Sequence, residues 1–130
     1  MSFVRARRFA AALGLAFMPA ASLACGVCIE DKVATTYDHA LAGRALAAGR
    51  VVVFAEVTGE GDPKARVRSA RTAAAKVPGV DRATIRTNDA PPVISFVLDP
   101  KARTPEAALV LAQRSAGEGR FKLDLLKVLR

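Results

Sequence analysis

Asp62-Pro63 and Thr104-Pro105 are two helix starts of one kind, an oxygen-bearing cap followed by a proline. The cap oxygen accepts from an unpaired amide of the first turn, and proline's fixed φ suits the first helical position. Ahead of the first start lies Val51-Val52-Val53-Phe54-Ala55-Glu56-Val57, a β-branched run of strand length, turned by Thr58-Gly59-Glu60-Gly61. The helix after Pro63 carries Val67, Ala70, Ala74 and Val77 on one stripe and stops at Pro78-Gly79. Two strands follow, Ala83–Thr87 and Val93–Leu98, around Asn88-Asp89-Ala90-Pro91-Pro92. The paired prolines predict a connection longer than a tight two-residue hairpin. The second capped helix runs through Leu109 and Ala112 to the region of Ala116, and Gly117 and Gly119 end it. Phe121-Lys122-Leu123-Asp124-Leu125 then alternates strictly and continues into Leu126-Lys127-Val128-Leu129. The order over residues 50–130 is β-α-β-β-α-β, which predicts an α+β, ferredoxin-like split βαβ domain.

The front of the chain reads as an address. Arg5, Arg7 and Arg8 precede the apolar run Phe9–Met18, Pro19 closes it, and Ser22-Leu23-Ala24 offers small residues to a signal peptidase. That is the order of a secretory signal, and the run is short for a membrane span. Residues 1–24 are therefore expected to be removed, giving an exported protein, periplasmic or secreted. The mature chain loses both methionines, and the net charge of +8, less the three signal arginines, becomes +5.

The mature chain then begins with Cys25-Gly26-Val27-Cys28. Three uses of such a spacing compete. Two thiolates two residues apart can converge on one soft ion, copper(I) or zinc. They can instead close a small disulfide that works as a redox pair, or oxidise to a plain structural staple. Ile29 stands where haem attachment needs histidine, and no strand precedes the motif as in thioredoxin-like enzymes. Metal binding by Cys25 and Cys28 is the expectation adopted. Because the mature chain has two thiols and no methionine, a second copy or a metal-donor or acceptor protein would complete the shell. Cys25 directly after Ala24 also occupies the place of a lipidated cysteine, although Ser22 stands where such signals carry leucine. Membrane attachment is expected only in that case.

Ile29, Val33, Tyr37 and Leu41 recur every four residues and predict one amphipathic helix over 29–41, part of an arm spanning 25–49. Glu30 and Asp31 suit the positive end of its dipole. On a continuous helix His39, the only histidine, would lie about 16 Å along the axis from Cys28, too far to share an ion within one molecule. This helix is expected to cover the sheet face that the two capped helices leave open.

Lys76-Val77-Pro78-Gly79-Val80, then Arg82-Ala83-Thr84-Ile85, then Val93-Ile94-Ser95-Phe96-Val97, resembles heavy-metal-associated domains, in which a Gly-Val pair after the first helix leads into the second strand. The likeness covers residues 51–130 as a pattern. It implies a ferredoxin-like fold and a link to soft metals. Those domains carry Cys-x-x-Cys between the first strand and first helix, whereas the matching positions here fall near Pro63 and Arg66, which bind no metal. The pair at Cys25 and Cys28 would then be a relocated one, brought back if the arm folds toward Thr58–Asp62.

Lys64, Arg66, Arg68, Arg71, Lys76 and Arg82 concentrate positive charge in and after the first capped helix. A solvated face is the simplest reading, and steering of an acidic partner or an anionic membrane surface is a second. Nucleic acid is not expected, because the strands lack paired aromatics for stacking bases. One histidine, no nucleophile constellation and no Gly-rich phosphate loop assign no catalytic residue.

Overall fold

The computed structural model describes residues 28–117 and 119–130. The expected signal over residues 1–24, and Cys25 with it, lies outside the described residues. The elements are α1 (Ile29–Ala34), α2 (His39–Ala47), β1 (Val51–Thr58), α3 (Pro63–Ala75), β2 (Val80–Asp89), β3 (Pro92–Leu98), α4 (Pro105–Ser115) and β4 (Lys122–Leu129). The four strands form one sheet in the order β2-β3-β1-β4, with every neighbouring pair antiparallel. This is the expected α+β, ferredoxin-like arrangement, with α1 and α2 added in front.

The two capped starts form as their sequences dictate. Asp62 Oδ1 accepts from the Lys64 amide at 3.2 Å, and Thr104 Oγ1 accepts from the Ala107 amide at 3.1 Å. Small residues then bring these helices close to the sheet, since Ala70, Ala74 and Ala108 are wholly buried.

β1 is apolar from Val51 to Ala55 because both of its faces are covered there. Val51, Val53, Ala55 and Val57 join the core under α3 and α4 with Ile85, Ile94, Phe96 and Leu98. Val52 and Phe54 point the other way, into a second cluster with Val33, Leu41, Ala42, Ala45 and Val97. The front helices therefore cover the second sheet face, as expected, and the sheet is the middle of three layers.

Three local features depart from the sequence reading. The helix predicted over 29–41 is two helices, broken at Thr35–Asp38, because Asp38 Oδ1 accepts from the Leu41 amide at 3.0 Å and starts α2 anew. The β2–β3 connection is a two-residue turn after all: Asp89 pairs with Pro92, and the Ala90–Pro91 peptide is cis, an isomer that tight turns accept. Asn88 Nδ2 braces it by donating to the Pro91 carbonyl at 2.7 Å. Finally, β4 shifts register where Phe54 pairs with Lys127 and Ala55 with Leu125, leaving Leu126 as the extra residue. The bulge reverses the alternation, so that Leu123 and Val128 pack on the α3–α4 core while Leu126 and Leu129 pack beneath α1 and α2.

Candidate functional site

Cys28 stands at the N-cap of α1 with extended backbone, φ −71° and ψ 165°, and its side chain makes no capping bond. The thiol is exposed and instead donates to Asp31 Oδ2 at 3.0 Å. One helical turn brings these two side chains together, since residues three apart share a face. A soft sulfur and a hard oxygen are thus within reach of a single ion.

The two acidic residues of the first turn have separate partners. Asp31 faces Cys28, whereas Glu30 accepts from Lys127 Nζ at 3.1 and 3.2 Å and ties α1 to β4. A second tie, Lys32 Nζ to Glu56 Oε2 at 2.7 Å, is three-quarters buried on both sides and anchors the same helix to β1. Together with Val33 in the core beneath, these contacts fix the helix that presents Cys28.

His39 belongs to a different helix from Cys28, at the first position of α2, and is exposed. Its Nδ1 lies 3.3 Å from the Tyr37 hydroxyl. Among the described residues no group of three or more His, Cys, Asp or Glu side chains is placed to hold one metal ion. The structure therefore brings Cys28 and Asp31 together and keeps His39 with Tyr37. Cys25 lies outside the described residues.

The β1–α3 loop, where the resemblance would place a thiol pair, is closed by other chemistry. Arg66 Nη1 donates to the Gly61 carbonyl at 2.8 Å, and Arg66 Cδ would sit 3.0 Å from a Cβ at Gly59. Arg66 thus fills the space over the loop.

Two features escaped the sequence reading. The helix break opens a groove of about 500 Å³ between α1, α2 and the end of β4, lined by Val33, Tyr37, His39, Ala42, Leu46 and Leu129. A reading of Asp38 as a helix cap, with Leu41 three residues on, would have revealed the break. The second is a cationic cleft between α3 and α4, which joins Arg68 and Lys76 to Arg120 from the far end of the chain. No sequence period connects those residues. Compared with protein-family models, with curated proteins and with solved structures, the chain finds no match.

Proposed function

We propose that the exported, mature chain binds a soft metal ion, copper(I) or zinc, through Cys25 and Cys28 and exchanges it with a partner protein. The observation that carries this reading is the exposed Cys28 thiol, turned to the Asp31 carboxylate at 3.0 Å rather than into the fold. The donor chemistry fits both ions to different degrees. Thiolates suit copper(I) and zinc alike, whereas a carboxylate adds to a zinc shell and contributes little to copper(I). Export rests on the sequence of residues 1–24, and the link to soft metals also draws on the resemblance to heavy-metal-associated domains. Two thiols without methionine leave coordination positions open, which suits handing the ion on rather than storing it.

Competition titrations of the mature protein with copper(I) and zinc chelators test the proposal. C25S and C28S are expected to weaken both ions by about a hundredfold or more, because a chelate ring is lost. D31N is expected to weaken zinc alone, by about tenfold. Equal affinity in the wild-type protein and both serine variants would overturn metal binding at this pair.

A second reading, a metal-free protein-interaction domain with the cysteines as a staple, draws on the apolar groove beside α1. Ile29, Tyr37 and Leu46 are large apolar side chains left exposed at 52%, 45% and 38%. Partner capture that survives loss of both cysteines would favour this reading over metal exchange.

A further inference from the structure

We propose that the cleft between α3 and α4 is a binding site for a phosphate-type anion, either a free phosphate ester or the headgroup of an anionic lipid. The cleft holds about 350 Å³ and is lined by Arg68, Ser69, Thr72, Lys76, Ser115 and Arg120. Arg68 and Lys76, from α3 and its C-cap, meet Arg120 from the loop before β4 there, and among the described residues no acidic side chain is in the lining.

Charge elsewhere in the molecule is neutralised differently. The ion pairs among the described residues are Lys32–Glu56, Arg86–Asp38, Lys122–Asp124 and Lys127–Glu30. Every one of them involves α1, the start of α2 or a strand, and none involves Arg68, Lys76 or Arg120. Within α3, Lys64, Arg66, Arg68 and Arg71 occur without any acidic residue. Two of these have structural work: Arg66 donates to the Gly61 carbonyl, and Arg71 Nη1 lies 3.4 Å from Thr87 Oγ1. Arg68 has no such engagement among the described residues, and it faces the cleft.

The remaining chemistry decides what kind of ligand fits. Thr72 and Ser115 direct their hydroxyl hydrogens to the carbonyls of Arg68 and Ala112, at 3.2 and 3.0 Å. Recognition therefore rests on the cations and on Ser69, not on a ring of free hydroxyls. The C-terminal ends of α3 and α4 border the cleft, and their carbonyl ends repel an anion. Three converging positive charges outweigh that repulsion best when the ligand carries concentrated charge and several acceptor oxygens, as a phosphate does. Arginine's planar fork matches two of those oxygens at once. The cleft also exceeds a bare ion in size and has room for a small esterified alcohol.

Titration of the mature protein by two-dimensional NMR tests this site with three probes: inorganic phosphate, glycerol 3-phosphate, and equimolar phosphatidylcholine–phosphatidylglycerol vesicles, the last read by co-sedimentation. Saturable binding is expected, with amide shifts centred on residues 68–76 and 115–120. R68Q and R120Q are each expected to weaken it by about tenfold, while R82Q, an exposed cation outside the cleft, changes it by less than about twofold. K76Q provides a further variant should either arginine change disturb folding. Saturation by the soluble probes assigns a free phosphate ester, and saturation by vesicles alone assigns a lipid headgroup. Equal weakening by R82Q, or no saturable binding of any probe, overturns the proposal. Binding here is expected to persist in C25S and C28S, so failure of the metal reading leaves it standing.

Discussion

Asp38 shows how one side chain overrules a periodicity. Its carboxylate accepts from the Leu41 amide at 3.0 Å, and that bond is the main reason its pKa falls below the ordinary aspartate value. Partial desolvation works against the shift, and the nearby Arg86 guanidinium adds to it. A carboxylate depressed in the folded state stabilises the fold above its unfolded pKa, and the contribution fades as pH falls through the folded value. Thermal melts should therefore show D38A below the wild-type protein at pH 7, with the gap closing below about pH 4. D38N should stay near the wild-type melting temperature at pH 7, because asparagine caps comparably. A gap between D38A and wild type that does not depend on pH would show that the charged cap is not what starts α2.

At the scale of elements, the α3–β2 connection is where a described glycine is most closely approached. Gly79 has φ +98°, and a Cβ there would approach Ala102 Cβ to 2.7 Å. Its carbonyl also accepts from the Asp99 amide at 2.9 Å, so the backbone cannot retreat without losing a bond. G79A should cost about 1–3 kcal/mol, read as a lower urea midpoint at unchanged slope. Gly43 gives the opposite case: it lies inside α2, and an added Cβ would meet nothing within 4 Å. G43A should stabilise by about 0.5–1 kcal/mol in the same experiment. If G79A were tolerated as well as G43A, the positive φ and the close approach to Ala102 would carry no weight. The bulge in β4 belongs to this scale as well. Leu125-Leu126 breaks the strict alternation of the closing strand, and the extra residue lets one edge strand supply both cores.

For the molecule as a whole, the three-layer arrangement makes the front helices part of the stability of the sheet. Val52, Phe54 and Val97 are almost fully buried on the face that α1 and α2 cover. Each such side chain contributes about 1.5–3 kcal/mol by leaving water. A chain beginning at Arg50 should consequently bind an apolar dye and self-associate, as followed by fluorescence and sedimentation, whereas the chain from Cys25 does neither. A monomeric truncated chain without dye binding would mean that the second sheet face does not need its cover.

The strand and helix order of residues 50–130, the proline-capped starts and a helical cover for the second sheet face were legible in the sequence. They depend on neighbours in the chain: a cap oxygen three residues from its amide, a stripe repeating every three or four residues, a β-branched run of strand length. Cys28 was equally legible as a candidate, since its chemistry is carried by residue type and spacing. What required the tertiary structure were contacts between segments far apart in sequence. The register shift opposite Phe54, the Glu30–Lys127 and Lys32–Glu56 ties, and the meeting of Arg68 and Lys76 with Arg120 arise only when the layers stack. Local hydrogen bonds and side-chain periodicity act over a few residues, so they specify elements. Packing and charge act through space, and they decide which elements share a surface.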